Sequence, residues 1–175
     1  MKPARPPRSL KGRALQWLAQ REHSRAEMQR KLLPHARALV AQARAGASAQ
    51  AVEAPEPGEV MAKVVEVLDW LEAHQYLSQQ RFAESRIHAR AARHGNLRIQ
   101  QELAQHGVVL DAASAQALKA SEFDRAREVW GRKFAAPAAD AAGRARQARF
   151  LVSRGFSAET VRRVLRQAGA GPDED

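Results

Sequence analysis

A two-helix frame that recurs along the chain constrains the fold more than any other feature. Leu18 stands six residues before Ser24, and Met28 and Leu32 follow one and two helical turns later. Leu151 stands six before Ser157, and Val161 and Leu165 occupy the matching places, so the frames superpose without a gap. A looser copy runs from Leu71 through Ser78 to Phe82, with one extra residue before the serine. A serine at the turn can accept an amide of the following helix, and one apolar residue per turn gives that helix a buried stripe. Units this small have little core of their own and lean on their neighbours. The predicted fold is all-α: three tandem three-helix repeats forming an elongated, curved helical array.

The boundaries follow from punctuation. Pro3, Pro6 and Pro7 preclude a helix over residues 1–8, which read as a disordered basic arm. Repeat 1 is expected over 9–75, with an Ala/Pro-rich insertion at about 34–58 that reads mainly as a linker, with room for a short helix before Gly46. Its first helix carries Leu10, Ala14, Trp17 and Leu18 on one face. Its second starts at Ser24-Arg25-Ala26-Glu27, a capping box, and should end near Pro34. Its third, from about Glu59, repeats Val60, Val64, Val67, Leu68 and Leu71. Repeat 2 is expected over 78–120, with Phe82, Ala83, Ile87 and Ala91 inward and Gly95 as a left-handed stop. It continues with Ile99 and Leu103 up to Gly107, then an Asp111-capped helix with Ala115 and Leu118. Repeat 3 is expected over 121–168. Phe123, Ala126, Trp130 and Phe134 share one face, then Ala141, Ala145, Ala148 and Val152, then Val161 and Leu165. Residues 169–175 read as a disordered acidic tail.

Composition narrows the function classes. The absence of cysteine removes disulfides and thiolate chemistry. The formal net charge of +10 points to nucleic acid, a nucleoprotein complex or an anionic surface. The longest apolar runs fall far short of the roughly 20 residues a bilayer span needs, and the basic start leads into no apolar segment of a secretory signal. A cytoplasmic protein without membrane contact, monomeric, is expected. Residues 1–33 hold nine lysines and arginines against Glu22 and Glu27, which makes that region the electrostatic head of the sequence.

No catalytic constellation stands out. There is no Gly-rich phosphate loop, and no pair of the six histidines has metal-ligand spacing. They read as exposed polar residues, and no metal or cofactor is expected. Glu66, Asp69 and Glu72 read as the solvated face of their helix. The informative side chains are arginines, whose guanidinium favours bidentate carboxylate and phosphate contacts. Arg86, Arg90 and Arg93 form one stripe that Arg98 continues. Arg144, Arg146 and Arg149 cluster before Arg154, and Arg21 and Arg25 flank the first turn. These ten are the candidate partner-binding residues.

Three segments in this order resemble the RecX family of recombination regulators. Arg21-Glu22-His23-Ser24-Arg25-Ala26-Glu27 is similar to that family's first-repeat motif. The central motif is matched by Arg81-Phe82-Ala83-Glu84, Arg93-His94-Gly95, Arg98-Ile99-Gln100-Gln101-Glu102-Leu103 and Gly107-Val108. Phe150-Leu151 with Arg154-Gly155-Phe156-Ser157 is similar to the third. The resemblance spans about residues 9–168. It implies a non-enzymatic, all-helical protein that binds the RecA nucleoprotein filament and limits its growth, ATP hydrolysis and strand exchange in recombination and repair. Two departures stand against it: the insertion at 34–58, and His106 where the family often has a basic residue. The alternative is an autonomous arginine-rich protein that binds single- or double-stranded DNA without RecA. A low aromatic content argues against base stacking in that role. A third reading is a helical adaptor for an acidic protein.

Overall fold

A computed structural model describes residues 9–47 and 56–169. The predicted arm over 1–8, residues 48–55 of the predicted linker and residues 170–175 of the predicted tail lie outside them. Among the described residues all regular structure is helical, with no strand. The chain divides into two compact units, Met1–Phe82 and Ala83–Asp175.

The first unit holds α1 (Leu10–Leu18), α2 (Arg25–Ala47) and α3 (Pro57–Ala73), and α4 (Gln79–Ala91) starts within it. Ser9 opens α1 by accepting the Gly12 amide at 3.1 Å, and Ser24 takes the Glu27 amide at 3.1 Å at the start of α2. The core is one stripe from each helix: Leu10 and Ala14; Met28, Leu32, Ala36 and Val40; Val60, Val64, Val67, Leu68 and Leu71.

The helix predicted to end near Pro34 does not. Pro34 lies inside α2, which runs on to Ala47, so residues 35–47 are helix rather than linker. A proline in a helix interior lacks an N–H and costs about 3 kcal/mol. Pro34 and Arg30, whose carbonyl loses that donor, are both on the exposed side. On the other side Ala36 and Val40 carry the Met28–Leu32 stripe onward and are fully buried. A buried aliphatic side chain contributes about 1.5–3 kcal/mol, so continued packing along α3 outweighs the proline.

The second unit holds the rest of α4, then α5 (Asn96–Gln105), α6 (Ala112–Ala120), α7 (Glu122–Lys133), α8 (Ala141–Ser153) and α9 (Ala158–Gly169). The frame serines act alike: Ser78 accepts the Arg81 amide at 3.2 Å and Ser157 the Thr160 amide at 3.3 Å, as Ser24 does. Ala126, Val129, Leu151, Phe156, Val161 and Val164 form a core among α7, α8 and α9, with Phe123, Trp130 and Leu165 packed against it.

Two expectations for this unit need correction. The buried face of α8 is Gly143, Gln147 and Leu151, not the alanine stripe. Ala141 and Ala145 are exposed, and Val152 is 55% exposed. Alanine is too small to declare a side, whereas the Gln147 amide is satisfied inside by donating to the Ala136 carbonyl at 3.0 Å. Gly95 is not left-handed; it is extended, with φ −82° and ψ 172°, and precedes α5. Among the described residues the left-handed glycines are Gly107 and Gly155.

Candidate nucleoprotein interface

Gly95 and Gly155 explain how the second unit places its arginines. The Gly95 amide donates to the Arg154 carbonyl at 2.9 Å, and the Leu97 amide to the Gly155 carbonyl at 3.1 Å. The turn between α4 and α5 is thus docked backbone to backbone on the turn between α8 and α9. A Cβ on Gly95 would lie 2.2 Å from the Phe156 amide nitrogen. One on Gly155, at φ +81°, would lie 2.5 Å from the Arg98 Cβ. His94-Gly95 and Arg154-Gly155-Phe156, far apart in sequence, are two halves of one joint.

Two charged residues of α7 lock that joint. Glu122 is 4% exposed. Its Oε1 accepts the Asn96 amide at 2.9 Å, supplying the cap that Gly95 has no side chain to give. Its Oε2 accepts the Ser157 hydroxyl at 2.7 Å and the Thr160 hydroxyl at 2.9 Å. One carboxylate therefore caps the N-termini of α5 and α9, where helix dipoles favour a negative charge. Burial pushes the Glu122 carboxyl up, but the Asn96, Ser157 and Thr160 hydrogen bonds outweigh it and hold the group below its ordinary range. Arg125, one turn on, donates to the carbonyls of His94 at 2.8 Å and Leu118 at 3.1 Å, and to Asn96 Oδ1. Sequence reasoning missed both residues. Their signal was a carboxylate one turn before Ala126, on the inner face of α7.

The ten candidate arginines separate into classes. Arg21 pairs with Glu27 at 3.0 Å. Arg25 pairs with Asp69 at 2.6 Å and with Glu72, binding α2 to α3. The acidic face of α3 is thus a partner surface within its own unit. Arg90 makes two contacts to Glu102, at 2.9 and 3.1 Å, and Arg86 a third at 3.3 Å, closing α4 on α5. Burial raises the Glu102 carboxyl, but the Arg90 hydrogen bond and charge, with Arg86, hold it lower than usual. Arg93, Arg98, Arg144, Arg146 and Arg149 are exposed, and Arg154 is half-buried. Arg144 donates to the Ala139 carbonyl at 2.7 Å.

Arg93 and Arg154 come together. With Arg132 and Lys133 of α7 they rim an open basin of about 370 Å³, floored by Val129 and Phe150. The residues lining it carry four cations and no acid. The Arg154 guanidinium stacks 5.0 Å from the centre of the Phe150 ring. His94 stands on the turn beside Arg93. Burial is the largest cause that holds its imidazole below the ordinary histidine range, and Arg98, Arg154 and Arg90 add to it. Arg132 and Lys133 were not singled out from sequence; they sit at the end of α7, where cations also suit the helix dipole.

Among the described residues no group of three His, Cys, Asp or Glu side chains could hold a metal ion. None of the described helices is long and apolar enough to cross a membrane.

Known proteins place this architecture. A family model for the third three-helix domain of RecX matches residues 120–165, and one for the second matches residues 78–115. A Regulatory protein RecX from Leptothrix cholodnii is 47% identical over 173 residues, covering 98% of this chain and 96% of that protein. One from Ralstonia nicotianae is 47% identical over 173 residues, covering 97% and 94%. The crystal structure of RecX from Lactobacillus salivarius superposes with a TM-score of 0.65 at 16% identity, over 92% of this chain and 95% of that one, a likeness of fold. With such identity sustained across nearly its whole length, the chain belongs to the RecX family of regulatory proteins.

Proposed function

We propose that this protein is a non-enzymatic cytoplasmic regulator of recombination and DNA repair that binds the RecA nucleoprotein filament and restrains its growth, ATP hydrolysis and strand exchange. The observation that carries the reading is the gathering of cations in the second unit at a rigid joint: Arg93, Arg98 and Arg154, with Arg144, Arg146 and Arg149 along α8. A joint closed by backbone hydrogen bonds holds its arginines in place before binding, so less ordering is needed on contact. Arg86 and Arg90 position α5 through Glu102. Arg21 and Arg25 act in the same way within the first unit. The mechanism is steric and electrostatic: a cationic helical face seats on an anionic filament and opposes subunit addition.

The test is titration into preformed RecA filaments on single-stranded DNA while following ATP hydrolysis. Arg98→Glu/Arg149→Glu, with native circular dichroism, should need at least tenfold more protein for half-inhibition. Undiminished inhibition by that folded variant would refute the assignment of these residues.

A further inference from the structure

The basin between α4, α7 and α8 has a composition that general basicity does not explain. Each of its cations stands at a helix C-terminus: Arg93 just beyond α4, Arg132 and Lys133 in the last turn of α7, Arg154 at the cap of α8. Complementing helix dipoles is the ordinary reason for such cations, and each dipole end amounts to about half a negative charge. Three ends offset about one and a half of the four positive charges. Glu128 neutralises one more, through a pair with Arg132 at 3.1 Å whose side chains are 58% and 66% exposed. An excess of about one to two positive charges converges on an open cavity with an apolar floor. That excess matches the charge of a phosphodiester or phosphomonoester, and the guanidinium fork suits phosphate oxygens. The floor adds something a bare anion does not use. Phe150 is only half-buried, and a sugar or base face gains from contact with such a ring.

We propose that this basin is a nucleotide subsite, with the phosphate on Arg93, Arg132, Lys133 and Arg154 and the sugar or base against Phe150 and Val129. The phosphate could come from a nucleic-acid strand or from a free nucleoside triphosphate. The inference deepens the filament reading by naming what the nucleic-acid part of such a partner offers this face, and RecA is left out of its test so that the two stand or fall separately.

Fluorescence anisotropy of a labelled oligothymidylate with the full chain, over a salt series, is the experiment. Arg132→Glu/Lys133→Glu should weaken binding at least tenfold. It should also flatten the dependence of log affinity on log salt by about 0.7 for each phosphate no longer neutralised. Arg93→Gln, which removes one charge without reversing it, should give a smaller loss in the same direction and covers the case of a double variant that does not fold. The His94 imidazole, followed by NMR, should titrate higher once phosphate occupies the basin. Competition by ATP that the same variants abolish assigns the site to free nucleotides, and its absence assigns it to the strand. Unchanged affinity and salt slope in the folded double variant would overturn the proposal, as would equal competition by oligoglutamate, which marks a general carboxylate face.

Discussion

The two units carry cations in comparable density but use them differently. In the first, four arginines have an acidic partner of their own unit: Arg21 with Glu27, Arg25 with Asp69 and Glu72, Arg44 with Glu59, Arg81 with Glu22. Two of its lysines lie on aromatic rings, Lys11 4.6 Å from the centre of Trp70 and Lys31 4.7 Å from that of Trp17. In the second unit Arg93, Arg132, Lys133 and Arg154 converge on one basin with no acid in its lining. In the region that looks most basic as a string, Arg21 and Arg25 are paired with carboxylates of their own unit. The lesson is that local charge counts along a sequence misplace the field of a folded protein. The carboxylates that cancel Arg25 arrive from a helix more than forty residues away.

The largest effect should come from the joint that creates the second unit's face. Gly95→Ala puts a methyl group 2.2 Å from the Phe156 backbone nitrogen, where no side chain can yield. A loss of at least about 3 kcal/mol is expected by urea denaturation, in the range of severe packing strain. Gly131 sits in α7 with nothing within 4 Å of its added Cβ, so Gly131→Ala is the control and should stabilise by about 0.5–1 kcal/mol. A mild Gly95→Ala would mean the two turns are not held as described.

A smaller difference should separate the cations. Arg25→Ala breaks partly exposed pairs that tie α2 to α3, and such pairs contribute at most about 1 kcal/mol each. Arg93→Ala, at the basin, should leave the urea midpoint within about 0.5 kcal/mol of the parent, as exposed substitutions usually do. Equal destabilisation by the two would erase the contrast between arginines paired within their unit and arginines at the basin.

The smallest effect is a pH dependence. Glu122 titrates below its ordinary value of 4.5 in the folded state. The unfolded chain therefore binds more protons near that pH, and the stabilisation is present above about pH 5 and lost as pH falls through the folded value. His23, 1% exposed, contradicts the expectation that the histidines are exposed. Burial is the largest cause that lowers its imidazole; the hydrogen bond to the Arg21 carbonyl opposes it and the charges of Arg21 and Lys31 reinforce it, so stability wanes from about pH 6.5 downward. Glu122→Gln should shrink the acid-limb loss, measured as urea midpoint against pH, and leave the part carried by Glu102 and the shallower histidine slope. An unchanged acid limb would show that Glu122 does not carry it.

Several elements were legible from residue spacing alone. The serine at each frame accepts the amide three residues on, because cap chemistry is local. Stripes such as Val60-Val64-Val67-Leu71 point inward because large aliphatic side chains have one favourable place to go. Gly107 terminates α5 for an equally local reason, a left-handed backbone. What failed was decided at longer range. Alanines on α8 carry too little apolar area to choose a face, and Pro34 was overruled by burial of Ala36 and Val40 against α3. Gly95 was singled out for the wrong reason. Its need is the close approach of Phe156, sixty-one positions later in sequence.

By itself the sequence determined an all-helical chain of serine-started frames, its membership of a family, and an excess of arginine suited to an anionic partner. Periodicity, capping and composition are properties of neighbouring residues. Only the tertiary structure decided which arginines are neutralised at home and which converge, because an ion pair depends on distances of 3–4 Å between elements remote in sequence. It also revealed Glu122, a buried carboxylate that caps two helices at once, whose partners assemble only when the turns of α4–α5 and α8–α9 meet.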